Sequence, residues 1–281
     1  MARRTPPKSP AKGRPPEQRR GPKPSDRRSP PERGARPSAA VPARPEGAEL
    51  LYGVHAVSAA LANPARRIVE VLATRQSAEK LVVDREIEAR LLSPAELDVL
   101  CGDGAVHQGV AAFVRPLPVL DLDAAAAPAE AGRPVLVLDQ ITDPRNIGAI
   151  LRSAAAFAAR CVVVHDRSTP ALEGALAKAA AGAVETVPVV RATNIARAME
   201  TLQEIGYRTV GLAGETRTAL AEAVDDAPLA IALGAEGPGL RRLVREKCDV
   251  LARIPMPGEM ESLNVSVAAA IALYEAGRRP S

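Results

Sequence analysis

Aromatic side chains make up only 2% of this 281-residue sequence. A core with so few rings must rest on Ala, Val, Leu and Ile, which argues against an aromatic-rich sandwich and for layered strands and helices. Cysteine is almost as scarce: Cys101, Cys161 and Cys248 are widely spaced and odd in number. Such a set matches neither a disulfide framework nor a zinc ribbon, and a reducing cytoplasm is the expected setting. His55, His107 and His165 are equally scattered, so no His/Cys metal site is expected. No apolar run reaches the length of a membrane span. The arginines near the start are not followed by an apolar stretch, so no secretory signal is expected.

Hydrophobic residues are plentiful at 47%, enough for the cores of two ordinary domains. Charge is unevenly placed. Residues 1–46 carry 13 Lys/Arg against 4 Asp/Glu and 12 of the 26 prolines, leaving 24 against 29 charges for the rest. This stretch has no apolar periodicity and cannot bury enough surface to offset its chain entropy, so 1–46 reads as a disordered basic tail. Loose association with RNA phosphates and a solubilising role are both open to it.

After the tail, the pattern predicts a helix over 54–62, a strand over 68–73 and a helix over 77–89. Ser93, Pro94 and Glu96 then form a helix start, with Ser93 as N-cap. "VHQGVAAFV" closes a small α/β domain over 47–115. Prolines and an alanine run mark 116–133 as a linker or a loosely packed connection. In the remaining 134–281, apolar strands are expected at 135–139, 161–165, 186–190, 208–212, 229–233 and 249–254, alternating with helices. That alternation predicts a mostly parallel sheet covered on both faces, and ligands of such sheets gather at the strands' carboxyl ends.

Three loops at those ends stand out. In "DQITDPRNIGAILRSAAAFAA", Ile147, Ile150, Leu151, Ala154, Ala155 and Ala158 form a helical core stripe. Arg152 lies off the stripe and shares a flank with Gly148, where a missing side chain would let a substrate approach. Asn146 stands at the helix start, where an N-cap is the plain structural role. In "LGAEGPGL", Gly234, Gly237 and Gly239 free the backbone around a single charge, Glu236. The spacing is not the dinucleotide fingerprint, which speaks against a dehydrogenase-like protein. In "MESLNVSVAAAIALYEA", Ser262 and Asn264 introduce a helix apolar on nearly every side, expected to be buried or shared with a partner subunit. Only one of the two can be its N-cap.

In this order, "DPRNIGAILRSAAAFA", "LGAEGPGL" and "IPMPGEMESLNVSVAAAIALYEA" resemble the three motifs of the SPOUT superfamily, specifically its SpoU/TrmH family of RNA ribose 2′-O-methyltransferases. "LYGVHAVSAAL" and "VHQGVAAFV" resemble the borders of the small ribosomal-protein-like RNA-binding domain found in the family members that methylate a 23S rRNA guanosine. The resemblance implies a trefoil-knotted C-terminal domain, a homodimer, and S-adenosylmethionine as cofactor. It assigns Asn146 and Arg152 to a catalytic pair, Glu236 to the second motif's acid, and Ser262 with Asn264 to the third motif's polar residues. Main-chain groups around Gly234, Ile254 and Leu263 are expected to hold the cofactor. Local patches of the small domain are expected to supply phosphate contacts, for example Arg66 and Arg67, for which a role as solvated loop arginines is equally open. A tRNA target, an antibiotic-resistance rRNA target and a non-catalytic RNA-binding role are the competing readings.

Overall fold

The strand Val135–Asp139 is apolar at every position but the last and buried throughout, so both faces of the sheet it enters must be covered. The protein is described here by a computed structural model that covers residues 41–81 and 88–278. Most of the expected tail, and part of the helix expected at 77–89, lie outside these residues.

In chain order the first part holds β1 (Glu49–Tyr52), α1 (Val54–Ala62), β2 (Ile68–Ala73), α2 (Arg75–Ala78), β3 (Ala89–Leu91), α3 (Pro94–Cys101) and β4 (Val110–Val114). Among the described residues β1–β4 form one sheet in the order β1-β4-β2-β3. Helix α3 starts with the expected capping box, in which Ser93 and Glu96 satisfy each other's backbone N–H groups. Of the helix expected at 77–89, the described residues hold the end of the single turn α2, and Ala89 belongs to β3, paired to β2.

The second part follows α4 (Leu122–Ala126) with β5 (Val135–Asp139), α5 (Pro144–Ala156), β6 (Cys161–His165), α6 (Gly174–Ala180), a 3-10 turn at Ala183–Glu185 and β7 (Val189–Ala192). Then come α7 (Ile195–Ile205), β8 (Arg208–Leu212), α8 (Leu220–Ala223), β9 (Leu229–Gly234), α9 (Arg242–Glu246), β10 (Val250–Ala252) and α10 (Val265–Gly277). Strands β5–β10 form a parallel sheet in the order β10-β8-β9-β5-β6-β7. The strand expected at 186–190 starts later because 183–185 makes a 3-10 turn, and that expected at 249–254 is confined to Val250–Ala252.

Four expectations change on packing grounds. The stretch 116–133 is not a free linker throughout, because α4 buries Ala125 and Ala126 in the second core and the Tyr207 hydroxyl donates to the Ala126 carbonyl at 2.8 Å. Residues 41–46 are tied down: Pro42 is buried and Arg44 bonds the Ala48 carbonyl and the Glu173 carboxylate, each at 2.6 Å. On α5 the buried stripe ends at Ala154, leaving Ala155 and Ala158 exposed. Gly148 faces α6, not a ligand, since a Cβ there would meet the Leu176 carbonyl at 2.4 Å and the Ala179 methyl at 2.6 Å. The absent side chain serves helix-helix contact.

Arg66 is likewise not a phosphate ligand. It is 2% exposed, its guanidinium bonds Glu185 at 2.7 Å, Glu49 at 3.2 Å and the Arg115 carbonyl at 2.8 Å, and it joins the first sheet to the 3-10 turn of the second part. Arg67, its neighbour, is exposed. A buried charge left without its partner costs about 3–5 kcal/mol. Arg66→Ala is therefore expected to destabilise the protein by about that amount at neutral pH, measured by urea unfolding. Burial already raises the Glu49 carboxyl above its ordinary value, against the opposing pull of Arg66. Without Arg66 the rise is larger. A group raised in the folded state contributes stability at low pH that is lost as pH climbs through its folded value, so the deficit should shrink on acidification.

Candidate active site

The strand order reverses between β5 and β9, whose last residues Asp139 and Gly234 are register partners. A doubly wound sheet opens a crevice at such a point. Here the loops after β8, β9 and β10 line a cavity of about 570 Å³. Gly234, Ile254 and Leu263 are in its wall, as are Glu236, Ser262 and Asn264.

Gly234 is required by its neighbours. An added Cβ would lie 2.0 Å from the Gly239 carbonyl carbon, because the loop closes back on itself through the Gly239 N–H to Ala235 carbonyl bond of 2.9 Å. Gly237 and Gly239, at φ +85° and +68°, make that turn possible. Glu236 is carried at its tip.

Helix α5 is capped by Asp143, with Pro144 following, so Asn146 is not the N-cap that its position suggests. Its side chain is free to point into the site. Asn264 Nδ2 donates to Glu236 Oε1 at 2.8 Å and to Asn146 Oδ1 at 3.0 Å, and Asn146 Nδ2 stands 3.5 Å from Glu236 Oε1. The Val265 N–H completes the set at 3.4 Å. One carboxylate oxygen thus collects three N–H groups at the start of α10. Asn264 also caps that helix, its Oδ1 accepting from the Ser266 N–H at 2.9 Å. The amide's two ends divide the work: oxygen caps, nitrogen reaches the site.

Ser262 is exposed on the cavity rim and caps nothing. Arg152 is exposed on α5, six residues beyond Asn146 and therefore about 9 Å further along the axis. It does not join the Asn146, Glu236 and Asn264 cluster. Among the described residues its guanidinium has no hydrogen-bond or ion-pair partner.

Opposite the glycine loop, Glu215 pairs with Arg245 across the cavity rim. A hydrogen bond to its own backbone N–H, then one to Arg245, hold its carboxyl below the usual range. Behind the site, Asp139 is fully buried and bonds Arg241. Sequence reading missed this pair, although a charge ending the apolar run "VLVLD" is a signal for it. Among the described residues no cluster of His, Cys, Asp and Glu is arranged to hold a metal ion.

The cavity fits S-adenosylmethionine. Its walls combine apolar side chains such as Leu212 and Leu263 with exposed main chain of the glycine loop and carboxylates of Glu215 and Glu261. A flat heterocycle suits the first two, and a cationic tail suits the third.

Comparison with known proteins agrees with this geometry. The model of the SpoU rRNA Methylase family matches residues 133–274, and that of the RNA 2'-O ribose methyltransferase substrate-binding domain matches residues 50–120. A 23S rRNA (guanosine-2'-O-)-methyltransferase RlmB from Vibrio cholerae is 47% identical over 242 residues, covering 82% of this chain and 97% of the relative. The Escherichia coli K12 protein of that name is 42% identical over 241 residues, covering 83% and 99%. Among solved structures, the SpoU methyltransferase AviRb from Streptomyces viridochromogenes, in complex with the cofactor AdoMet, superposes with a TM-score of 0.70 at 27% identity, covering 82% of this chain and 89% of that one. The family model spans half of this sequence, and the RlmB relatives are similar over nearly their whole length. The chain belongs to the SpoU rRNA methylase family.

Proposed function

We propose that the protein transfers the methyl group of S-adenosylmethionine to the ribose 2′-hydroxyl of a guanosine in 23S rRNA, acting as a homodimer. The observation that carries this reading is the meeting of Asn146, Glu236 and Asn264 at the mouth of the cavity on the switch point of the sheet. The RNA target rests on the similarity to the RlmB relatives over nearly their full length.

When bound, S-adenosylmethionine supplies an electrophilic methyl group on a sulfonium, whose carbon–sulfur bond breaks as the 2′-oxygen bonds to carbon. Gly234, Ile254 and Leu263, in the cavity wall, would hold it. What remains for the side chains is alignment of the hydroxyl and removal of its proton. Glu236 is an acceptor-only carboxylate when ionised, and the two amides hold it toward the mouth, so it can accept a hydrogen bond from the hydroxyl. A guanidinium is a donor without an acceptor, so the role of base does not fall to Arg152. Its fork, without a partner among the described residues, suits a phosphate, gripped by two parallel N–H groups, and so presents the ribose. Ser262 on the rim is within the same mouth and orients the substrate.

Exposed apolar surface supports the homodimer. Helices α5 and α10 pack together, Phe157 and Tyr274 stacking edge to face at 6.3 Å, yet Val267 and Tyr274 stay 46% and 55% exposed, and Ala155 and Ala158 are exposed as well. An apolar helix left half uncovered fits a subunit interface. The knot belongs to the same reading. From β10 at the sheet edge the chain returns to α10, which packs against α5, β9 and α8, and on the way the Arg253 N–H donates to the Thr218 carbonyl while its own carbonyl accepts from the Leu220 N–H.

The test is transfer of labelled methyl from S-adenosylmethionine to total RNA from a strain lacking the enzyme, with the labelled nucleotide then mapped. Label at a 23S rRNA guanosine is expected. Label in tRNA alone would overturn the assignment.

A further inference from the structure

We propose that Asp139 and Arg241 are positioning residues of the methyl-transfer reaction, one buried carboxylate setting both walls of the cofactor cavity. The inference rests on the methyl-transfer reading above and adds to it two residues outside the three motif side-chain sets.

Asp139 ends β5 directly beside Gly234, at the point where the strand order reverses. It is 0% exposed. A carboxylate in that position is costly unless its partners are well placed. Here both partners come from one residue: Oδ2 accepts the main-chain N–H of Arg241 at 2.8 Å, and Oδ1 accepts its Nε–H at 2.7 Å. Bonding the main chain and side chain of the same residue fixes the path of the backbone as well as its location. Arg241 directly follows the glycine loop. At the loop's other end, Gly234 is pressed against Gly239 and Leu240. Residues 235–240 are therefore clamped at both ends, and Glu236 between them is held where Asn146 and Asn264 reach it.

The same anchor acts on the other wall. Arg241 leads into α9, from which Arg245 crosses to Glu215 on the loop after β8. Releasing Arg241 frees both. A buried ion pair is in itself weak grounds for a stability role, and the Arg241 side chain is 46% exposed, so its loss leaves no apolar cavity. Its placement explains more about the loop than about the core.

The experiment compares the full-length protein with Arg241→Ala, Arg241→Lys and Asp139→Asn. Arg241→Ala should raise KM for S-adenosylmethionine and lower kcat, each about tenfold, with KM for RNA unchanged. Arg241→Lys, which keeps the side-chain charge that Arg241→Ala loses, should recover part of both losses, and Asp139→Asn should resemble Arg241→Ala. Amide hydrogen exchange gives a readout independent of turnover: residues 235–241 should exchange faster in Arg241→Ala, with β5 and β9 unaltered. Wild-type KM, kcat and loop exchange in Arg241→Ala would overturn the proposal, as would a drop in thermal midpoint with kinetics and loop exchange unchanged. A wild-type enzyme without methyl transfer would sink the functional reading instead, and the loop exchange would still decide whether the anchor exists.

Discussion

Replacing Arg152 by Ala is expected to cut methyl transfer by about 100-fold or more, the scale of loss that follows a misplaced reacting group. The fold should not notice the change, because the side chain is exposed and has no partner among the described residues. Thermal midpoint and S-adenosylmethionine binding should therefore match the wild type, which separates this effect from a structural one. The informative variant is Arg152→Lys. Lysine supplies the same charge as a point donor, without the planar fork that grips two phosphate oxygens. If Arg152 positions the ribose through its phosphate, Arg152→Lys should bind the rRNA fragment with little loss yet turn over nearly as slowly as Arg152→Ala. Near-native turnover in the lysine variant with intact RNA binding would show that charge alone suffices and that the positioning role is wrong.

The division between residues that touch the site and residues that hold it also explains what the sequence could disclose. The parallel sheet was readable because strands buried on both faces leave largely apolar runs: 135–139, 161–165 and 208–212 coincide with β5, β6 and β8. The loops were readable because glycine and proline interrupt those runs at one end of the sheet. What one-dimensional pattern cannot carry is the identity of the neighbour. Gly148 looked like an opening for a substrate and proves to be the contact with α6. Arg66 and Arg67 are adjacent and alike in sequence, yet one is sealed between two glutamates and the other is exposed. Asn146 and Asn264 both stood near helix starts, and only Asn264 is a cap, because Asp143 takes that place on α5. Each of these outcomes was decided by a residue distant in the chain, Leu176 for Gly148 and Glu185 for Arg66, or by a competing side chain in the same turn.

Asp139 and Arg241 are the extreme case, 102 positions apart. Their individual signals are a charge at the end of an apolar strand and a base after a glycine loop. Only the crossing of β9 beside β5 turns those two facts into one.

Deleting residues 260–281 is expected to remove the folded state altogether. Helix α10 places Val265, Ala269, Ala272, Leu273 and Ala276 in the largest core, against α5 and β9. Burying a side chain such as Val265 or Leu273 contributes about 1.5–3 kcal/mol each, and the three alanines add roughly one methyl group's worth apiece, near 0.8 kcal/mol. The sum, about 5–8 kcal/mol, is comparable with the whole stability of an ordinary domain, about 5–15 kcal/mol. The deletion also takes Asn264 from Glu236 and Asn146, and uncovers the inner faces of α5 and β9. Circular dichroism on heating should show no cooperative transition, and size-exclusion chromatography should show aggregate or expanded monomer. Calorimetry should detect no binding of S-adenosylmethionine, since Ser262, Leu263 and Asn264 form part of the cavity wall. A truncated protein that remained a stable dimer and still bound S-adenosylmethionine would mean that α10 is a covering on a core completed without it, and that the site's third wall lies elsewhere.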